Sequence, residues 1–399
     1  MRILFLTTKF PYPPDSGAKI RDFNLIKEIS KEHDISLVSF IKDEGEKKNL
    51  EFLRPYCKSI EVVRERGKTS LLAGIFVSIF TEKPFTIAKF YSSVMKQKIR
   101  AALKNNEIEL IHCSHLHMAQ YVEDIKDIPK ILDEHNIEFF LIKRYLKEQK
   151  NLIKKIFVFF LQYLKLARYE SNVARKFNHC FVVSDVDKKS LESIAPRISL
   201  SVIPNGVDVD RYKPQQGNTQ SNSLVFTAVM DWFPNEDAIL YFYDKVWPLI
   251  KKEIRDVRVS IVGKNPSNKI LSLSRQEANI EVTGYVEDVR PYIARSSVYI
   301  VPLRIGGGSR LKILEAMAMG KTVVSTSIGC EGLNVADNEN ILIADSPEDF
   351  AVKAIIALKD SELRKKIENN ARKLVVGQYS WDIICEKVNS VYKETAKTR

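Results

Sequence analysis

The chain has 399 residues, of which 45% are apolar and 28% charged, the proportions of a globular protein with two or three domains. No stretch reaches the roughly 18 apolar residues that a membrane span requires. The five cysteines are widely separated, which argues against a disulfide framework or a cysteine metal site and favours a reducing, cytoplasmic compartment. A formal net charge of +12 indicates an anionic partner, and composition leaves open whether this is a nucleotide, a nucleic acid or a membrane surface.

The first half of the chain alternates short apolar runs with amphipathic helical patterns, which is typical of parallel α/β sheets. The runs predict strands at residues 3–7, 35–40, 60–63, 110–112, 130–133, 181–184 and 199–204. His115 follows the fourth of these strands and His135 the fifth. Because ligands of such sheets collect at the carboxyl ends of strands, both are candidate site residues, with plain structural hydrogen bonding as the alternative for each. A metal site of His112, His115 and His117 is disfavoured, since such close neighbours at a strand end rarely converge.

Two apolar stretches do not fit ordinary surface helices. Residues 71–80 (LLAGIFVSIF) are apolar nearly all round, and residues 152–166 mix aromatic side chains with Lys154, Lys155 and Lys165. Basic residues beside a broad apolar face suit a helix that lies in a membrane interface. The pattern indicates association with an anionic membrane surface, and burial in the core or in a dimer contact is the equally weighted alternative.

A polar segment at 211–223 (RYKPQQGNTQSNS) contains Pro and Gly and lacks a repeating apolar face, so it is the predicted linker. The alternation then restarts, with strands predicted at residues 225–229, 259–262, 280–283, 298–301, 323–325 and 341–343. We therefore expect two parallel-sheet α/β domains, at 1–210 and 224–380, with a cleft between them. The pattern at 381–399 predicts a terminal helix that packs back on the first domain or, with equal weight, stays on the second.

Residues 298–327 predict a strand, a glycine-rich loop, a helix and a second strand in immediate succession. Gly306, Gly307 and Gly308 indicate a loop where the backbone closely approaches a ligand, and Ser309 can cap the helix that follows. The free N–H groups and the dipole of a helix N-terminus attract anions. Charged side chains accompany this loop, namely Arg304, Arg310, Lys312 and, within the helix, Glu315. A solvated turn that binds nothing is the alternative interpretation.

Four segments together resemble the retaining glycosyltransferases of family 4, which have the GT-B fold. They are RIGGGSRLKILEAMAMGKTVVST, with IPNGVD at 203–208, VTGYVEDV at 282–289 and PYPPDSGAKIR at 11–21, in the family's order along nearly the whole chain. The resemblance implies two Rossmann-like domains facing a central cleft, with a nucleotide-sugar donor on the second domain and an acceptor on the first. It also implies no metal and no cofactor, because protein groups and helix dipoles stabilise the leaving diphosphate.

The resemblance assigns roles to individual residues. Glu315 matches the second glutamate of the family's E-x7-E motif, which contacts the nucleotide ribose, whereas the first glutamate of that motif is replaced by Gly307. Gly17 matches a glycine loop near the diphosphate. Tyr285 and Val286 match the segment whose backbone contacts the edge of the base. Which groups then hold the donor sugar is left open by the missing glutamate.

The chain also departs from the family after the strand at 225–229, where VMDWFPNED contains neither the usual arginine nor the usual lysine. A diphosphate still needs cations around it. Arg304, Arg310 and Lys312 are the expected substitutes, with Lys264 at the end of the strand at 259–262 as a further candidate.

The resemblance implies an enzyme that transfers a sugar from a UDP- or GDP-sugar to a glycan or lipid-linked acceptor in surface polysaccharide or glycolipid synthesis. Its catalytic residues would be His115, His135 and Arg310, and it would be cytoplasmic and peripheral on the inner face of the membrane. A nucleotide-sugar epimerase of the same build is one alternative. The other is a basic membrane or nucleic-acid adaptor without catalysis. Against a nucleic-acid partner, the cations are spread over many helices with no aromatic-interleaved basic run.

Overall fold

The computed structural model describes residues 1–65, 67–148, 152, 156, 158–215, 219–305 and 310–397, without the side chains of 67–73, 147–148 and 161. The chain divides into two compact units, Met1–Asn205 together with Ile384–Arg399, and Gly206–Ile383. Each unit is built on a parallel sheet whose strands are connected mostly by helices. Four residues of the predicted glycine-rich loop, Gly306, Gly307, Gly308 and Ser309, lie outside the described residues.

The first unit contains a seven-stranded parallel sheet with the order β3-β2-β1-β4-β5-β6-β7. Its strands are β1 Arg2–Thr7, β2 Asp34–Ile41, β3 Ser59–Arg64, β4 Leu110–Ser114, β5 Lys130–Glu134, β6 His179–Val182 and β7 Leu200–Val202. The sequence of β1, RILFLT, is apolar without alternation because both faces of the sheet are covered. Leu4 and Leu6 on one face and Ile3 and Phe5 on the other are all fully buried.

Helices connect most of these strands. They are α1 Gly17–Ile29, α2 Gly67–Phe80, α3 Phe85–Lys89, α4 Ser93–Asn105, α5 Leu116–Ala119, α6 Glu138–Glu148, α7 Leu164–Lys176 and α8 Asp185–Ile194, with a 3₁₀ helix at Glu44–Phe52 and a π-helical turn at Phe159–Tyr163. α1 buries Leu25, Ile26 and Ile29 together with Arg21 and Asp22. A charged side chain on a buried helix face needs a partner, so Arg21 and Asp22 indicate that α1 meets polar groups of the sheet.

The second unit contains a six-stranded parallel sheet with the order β10-β9-β8-β11-β12-β13. Its strands are β8 Ser223–Thr227, β9 Arg258–Val262, β10 Ile280–Gly284, β11 Val298–Val301, β12 Thr322–Ser325 and β13 Leu342–Ile343. Its helices are α9 Phe233–Tyr241, α10 Trp247–Glu253, α11 Asn268–Gln276, α12 Arg290–Arg295, α13 Leu311–Ala318, α14 Pro347–Lys359 and α15 Ser361–Gln378, with a π-helical turn at Phe242–Val246. Two parallel-sheet α/β domains are therefore confirmed.

β6 spans His179–Val182 rather than the predicted 181–184. Its first residue, His179, is polar, but its ring nitrogens lie 2.6 Å from Ser199 Oγ and 2.9 Å from Ser201 Oγ, which satisfies them at this strand position. At the other end Ser184 leaves the strand and caps α8, with its hydroxyl accepting from the backbone N–H of Asp187. Local hydrogen bonds of polar side chains therefore place both ends of β6 two residues earlier in the chain than the apolar pattern predicts.

The junction between the two units falls at Asn205 and Gly206, before the segment 211–223 that the sequence suggests as a linker. The described part of that segment belongs to the second unit. There the backbone N–H of Gln220 donates to the carbonyl of Arg295 over 2.8 Å. The described part of the predicted linker is therefore packed within the second unit, which begins at Gly206.

A final helix, α16 Trp381–Lys397, begins in the second unit and continues into the first, to which Ile384–Arg399 belongs. Within the first unit Tyr392 is fully buried, and its hydroxyl lies 2.6 Å from Nδ1 of His112. Among the described helices of both units, none combines the length and the hydropathy needed to cross a bilayer.

Candidate active site

The strand order of each sheet reverses at one point, between β1 and β4 in the first unit and between β8 and β11 in the second. Ligands of open α/β sheets bind outside the carboxyl ends of the strands at such points. In the first unit, Thr8 follows β1 and His115 follows β4. In the second unit, residues 228–232 follow β8, and the segment after β11 leads to α13. The candidate site residues lie around these two points.

A fully buried ion pair underlies the first of these points. Arg21 donates from Nε and Nη2 to the two carboxylate oxygens of Asp133, each over 2.8 Å, and neither side chain is exposed. Nη1 of Arg21 donates to the carbonyls of Ile203 and Pro204 and to Asn205 Oδ1. A buried charge is tolerated when it is paired and its remaining protons are bonded. The pair therefore fixes the end of β5 to the chain that precedes the junction.

The Ser114 hydroxyl is the centre of a polar cluster above this ion pair. It donates to Asp22 Oδ1 over 2.6 Å, and it lies 3.0 Å from His115 Nδ1 and 3.1 Å from His135 Nε2. The two rings are 3.8 Å apart between centroids, and His135 Nε2 also lies 3.5 Å from Asp133 Oδ2. The structure thus brings together the two histidines that the sequence singles out and adds Asp22 and Ser114. We call Asp22, Ser114, His115 and His135 the Ser114 cluster.

The backbone of His115 holds its ring in this cluster. Its φ of 71° lies in the left-handed region, which non-glycine residues seldom adopt. Its N–H donates to the carbonyl of Asp133 over 2.9 Å, which stabilises the conformation. Backbone outliers of this kind concentrate at functional sites, so the conformation supports His115 as a site residue.

Burial and neighbouring charges shift the ionisation of the cluster. Burial raises the pKa of Asp22 to about 6, although His135 and the hydrogen bond from Ser114 act in the opposite direction. Burial also holds the pKa of His115 well below its usual value, and the neighbouring His135 contributes to this. For Asp133, burial favours the neutral acid, but the charge of Arg21 and the hydrogen bonds from His112 and His135 together outweigh it, and the pKa lies well below the usual value. Near neutral pH His115 of the cluster is therefore neutral, and the adjoining Asp133 is ionised.

Asp22, His115 and His135 could also hold a divalent ion, because each places one ligand atom within 4.8 Å of the other two. Histidine nitrogens and a carboxylate oxygen are ligands that zinc accepts. The Ser114 oxygen, however, already lies at hydrogen-bond distance from one atom of each of these three side chains. The geometry is therefore fully explained by hydrogen bonding.

His112 and His117, the other histidines of this region, pack against aromatic side chains. His112 is fully buried, stacked on Phe5 with centroids 4.1 Å apart and bonded to Tyr392. The ring of His117 lies 4.8 Å from that of Phe90. His112, His115 and His117 therefore do not converge on a common point, as their spacing in the sequence indicated.

Three polar residues of the first unit, Arg21, Asp22 and Ser114, are absent from the sequence-based set of site residues. For the first two a signal exists, because Arg21 and Asp22 lie four residues before the buried Leu25 and Ile26 and so share their helix face. Ser114 ends an apolar strand, and its type and position give no comparable signal. The predicted Gly17 is the exposed first residue of α1, so its backbone is accessible.

The second site forms on the first turns of α13. The Tyr212 hydroxyl donates a hydrogen bond to the carboxylate of Glu315. Burial raises the pKa of Glu315 to about 7, while this bond and the charges of Arg211 and Lys312 partly oppose the rise. The backbone carbonyl of Tyr212 accepts from Arg372 Nη1, which holds Tyr212 in place. Glu315 is therefore a partly buried carboxylate on the helix that follows β11, at the switch point of the second sheet.

Lys312 lies one turn before Glu315 and reaches the first turn of α9, the helix that follows β8. Its Nζ donates to Asn235 Oδ1 over 2.9 Å and lies 4.4 Å from the centroid of the Phe226 ring. Asn235 Nδ2 in turn donates to the carbonyl of Val229 over 2.9 Å. Burial and the nearby Arg310 lower the pKa of Lys312 to about 7. The segment after β8 contains no arginine or lysine of its own, and Lys312 of α13 places a cation beside it.

The two arginines expected near the diphosphate differ in their surroundings. Arg310 is buried at the N-cap of α13 and donates from Nη2 to the carbonyl of Ile328 over 2.8 Å. Arg310 occupies the N-cap position of α13 without a side-chain cap hydrogen bond, and Ser309, the expected cap residue, lies outside the described residues. Arg304 is half exposed, bonds Asp237 over 2.6 Å and lies over the Tyr241 ring, so its charge is already paired.

The remaining predicted donor residues follow β9 and β10. A Cβ on Gly263 would lie 1.7 Å from the carbonyl oxygen of Ala228, so only glycine lets the ends of β8 and β9 approach this closely. Lys264 follows directly, beside the loop after β8. Tyr285 is exposed by 74% after the end of β10, whereas Val286 packs against the core. The predicted residues of the glycine-rich loop lie outside the described part of the chain, between Arg304 and Arg310.

Two successive Rossmann-like sheets, each with polar residues at its switch point, define the class of GT-B transferases. The model of the Glycosyltransferase Family 4 domain matches residues 23–211, and that of the Glycosyl transferases group 1 domain matches residues 221–360. The chain belongs to this family of glycosyltransferases and is a glycosyltransferase enzyme. The family prediction from the sequence is confirmed.

Several proteins are similar along all or half of the chain. An uncharacterized 44.6 kDa protein in the cps region of Klebsiella pneumoniae is 23% identical over 98% of this chain and 99% of its own length. The UDP-Gal:alpha-D-GlcNAc-diphosphoundecaprenol alpha-1,3-galactosyltransferase of Escherichia coli is 25% identical over 49% of this chain and 54% of its own. The sucrose-phosphate synthase of Thermosynechococcus elongatus has the same fold, with a TM-score of 0.73 at 14% identity and full coverage of both chains. Anabaena HepE in complex with UDP and glucose gives a TM-score of 0.66 at 15% identity, over 99% and 100% of the two chains.

Proposed function

We propose that the chain is a retaining glycosyltransferase that transfers a sugar from a UDP- or GDP-sugar to a glycan or lipid-linked acceptor in surface polysaccharide or glycolipid synthesis. The observation that supports this most is the pair of half-buried, oppositely charged residues Lys312 and Glu315 on the first turns of α13. A cation and a carboxylate one turn apart suit the diphosphate and the ribose of a nucleotide sugar. The relatives support the acceptor class, since the Escherichia coli enzyme acts on a diphosphoundecaprenol-linked sugar.

The donor would be held by the second unit. Glu315 accepts hydrogen bonds from the ribose hydroxyls, and the backbone at Tyr285 and Val286 contacts the base. Lys312 and Arg310 contact the diphosphate, assisted by backbone N–H groups of the loop at 306–309. Lys264 follows β9 and Arg304 follows β11, the strands on either side of β8. Arg304 first has to exchange its bond to Asp237 for a phosphate oxygen.

In the proposed reaction the bond between the anomeric carbon and the phosphate oxygen breaks, and the acceptor oxygen bonds to the same face of that carbon. The acceptor proton passes to the departing phosphate. Negative charge grows on the diphosphate as the sugar leaves, so Lys312 and Arg310 stabilise the transition state more than the ground state. A separate strong base and a metal ion are then not required.

The acceptor side would lie in the first unit, at the Ser114 cluster. His115 and His135 present ring nitrogens at the carboxyl ends of β4 and β5, where a sugar hydroxyl can bond them. The exposed N-terminus of α1 at Gly17 would supply backbone N–H groups to the donor diphosphate, the role that the resemblance implies for it.

A membrane surface is the proposed partner of a second region of the first unit, which we call the apolar face. It consists of large exposed side chains on α2 and on residues 159–164, namely Phe76, Ile79, Phe80, Phe159, Phe160 and Leu164. Lys165 joins the two segments, since its Nζ donates to the carbonyls of Ser78 and Thr81. Lys83 and Arg168 line the adjoining pocket. Exposed aromatic side chains beside cations suit the surface of an anionic membrane, where a lipid-linked acceptor is found.

The function is tested with purified full-length chain and a panel of nucleotide diphosphates and their sugars. A ligand of the folded state raises the melting temperature, so UDP or GDP and one of its sugars should stand out from the panel. The preferred donor is then incubated with lipid-linked acceptors, and the anomeric configuration of the product is read by NMR. A product with inverted configuration, or turnover of the sugar without any acceptor as in an epimerase, would refute the proposal.

A further inference from the structure

The hydrogen bonds of the Ser114 cluster have a defined direction. Ser114 has a single hydroxyl proton, and an ionised Asp22 carboxylate, which can only accept, takes it over 2.6 Å. The Ser114 oxygen then offers only lone pairs to its two other neighbours. His115 Nδ1 at 3.0 Å and His135 Nε2 at 3.1 Å must therefore both be N–H donors.

A neutral imidazole has one N–H, so a proton on His115 Nδ1 leaves a lone pair on Nε2. No hydrogen-bond partner of His115 Nε2 is present among the described residues, whereas Nδ1 has Ser114 and, at 3.5 Å, Thr8. Nδ1 of His135 is likewise buried and unpartnered within that part of the chain. The cluster therefore satisfies one nitrogen of each ring and leaves the other as an acceptor.

We propose that Asp22 and Ser114 are positioning residues that fix His115 in its Nδ1–H tautomer, so that Nε2 accepts a hydrogen bond from a sugar hydroxyl. This inference rests on the proposed function, which places His115 in the site. Asp22 and Ser114 act through His115 and touch no substrate themselves. Removing the carboxylate frees the Ser114 proton for His115 Nδ1, and the ring then presents an N–H in place of the acceptor.

Protonation of Asp22 has the same effect as its removal. The charged and titratable groups around Asp22 are Arg21 on its own helix, Asp133 in β5 and His135 after β5. Together with burial they place the pKa of Asp22 at about 6. The acceptor form of His115 is thus present above that pH and is lost as the pH falls through it.

The first test needs no substrate, so it is independent of the proposed function. The full chain is labelled with ¹⁵N-histidine, and the ring signals of His115 are assigned by their loss in His115→Gln. At pH 8 we expect a protonated Nδ1 and an unprotonated Nε2, and the reverse in Asp22→Ala and in Ser114→Ala. A protonated Nε2 in the native chain at pH 8, or an unchanged tautomer in both variants, overturns the proposal. The native chain alone decides the matter if a variant does not fold.

The second test measures transfer. Asp22→Ala and Ser114→Ala should lower kcat/KM about ten- to a hundredfold. In both variants the sugar hydroxyl meets an N–H at His115 Nε2 instead of a lone pair. Asp22→Asn retains an acceptor oxygen for Ser114, so it should keep most of the activity but lose the fall in rate below pH 6. Ser39→Ala is the matched control, because Ser39 is a buried serine of β2 bonded to Thr7 outside the cluster.

The two tests separate the claims. Correct tautomers without any transfer by the native chain refute the proposed function and leave the tautomer assignment standing. Transfer that is unaffected by Asp22→Ala, with the tautomer reversed, shows that His115 Nε2 meets no substrate hydroxyl and refutes the inference alone.

Discussion

In the proposed function, Glu315 is the residue on which donor binding should depend most directly. Its carboxylate accepts one hydrogen bond from Tyr212 and retains lone pairs for the two ribose hydroxyls. Hydrogen bonds to a charged group contribute roughly 1.5–3 kcal/mol each. Glu315→Gln should therefore lower the affinity for the nucleotide about ten- to a hundredfold by titration calorimetry.

The matched control for this substitution is Glu348→Gln, at an exposed position of α14. It should leave the affinity unchanged. If Glu315 serves only to hold Tyr212 in place, Glu315→Gln lowers the melting temperature but keeps the native affinity for the nucleotide. That result would show that Glu315 does not contact the ribose.

Lys312 predicts a dependence of donor binding on pH. Its pKa lies at about 7 because burial and Arg310 disfavour the charged amine. A bound diphosphate favours the charged form, so the affinity should fall as the pH rises above 7, by up to about tenfold per unit. Lys312→Arg, whose charge persists at high pH, should flatten this decline. Calorimetry between pH 7 and pH 9 measures it, and an equal decline in both proteins would contradict the role of Lys312.

The Ser114 cluster predicts the effect of metal removal. Asp22, His115 and His135 have the spacing of a metal site, but the Ser114 hydroxyl already bonds their three atoms. Transfer should therefore continue at its full rate in excess chelator. Loss of activity that added zinc or magnesium restores would show that these residues, or others, hold a required ion.

The apolar face formed by α2 and residues 159–164 predicts membrane binding at the scale of the element. Burying a phenylalanine side chain contributes about 1.5–3 kcal/mol, so Phe80→Ser with Phe160→Ser should reduce binding to anionic vesicles by about two orders of magnitude or more. The control pair is Val352→Ser with Ile356→Ser, two exposed apolar residues of α14 in the other unit. Co-sedimentation at low and high salt measures both. Native binding by the phenylalanine variant, or none by the native chain at low salt, would exclude this face.

The strands could be predicted from the sequence because a parallel strand buried on both faces is a continuous apolar run, as in β1 and β11. Their ends were harder to place where polar side chains decide them, as His179 and Ser184 do at β6.

The site could be predicted in part for the same reason. His115 and His135 follow predicted strands, and parallel strands end at one edge, so their proximity could be inferred. Ser114 and Asp22 come from different elements, and only tertiary packing shows that one hydroxyl joins them. The ion pair between Arg304 and Asp237 could not be predicted from the sequence either, because Asp237 lies on α9, far from Arg304 along the chain.

At the scale of the whole molecule, the two ends of the chain contribute to one unit. The segment Ile384–Arg399 belongs to the same compact unit as Met1–Asn205. Asn389 donates to Glu32, and the buried Tyr392 bonds His112 within the sheet. Folding of the first unit therefore depends on residues that follow the entire second unit.

The bond between Tyr392 and His112 provides a test of this dependence. Both side chains are fully buried, so Tyr392→Phe leaves His112 Nδ1 without its partner where water cannot replace it. A buried group that loses its partner costs about 1–3 kcal/mol, which urea unfolding of the full chain would measure. Tyr243→Phe is the control, because its hydroxyl bonds Gln276 at an exposed position and should cost under about 0.5 kcal/mol. Nucleotide affinity should remain native in Tyr392→Phe, since the proposed donor residues other than Gly17 belong to the other unit. If the two variants are equally stable, the terminal helix adds little to the stability of the first unit. If Tyr392→Phe also loses nucleotide affinity, a change in the first unit affects nucleotide binding by the second.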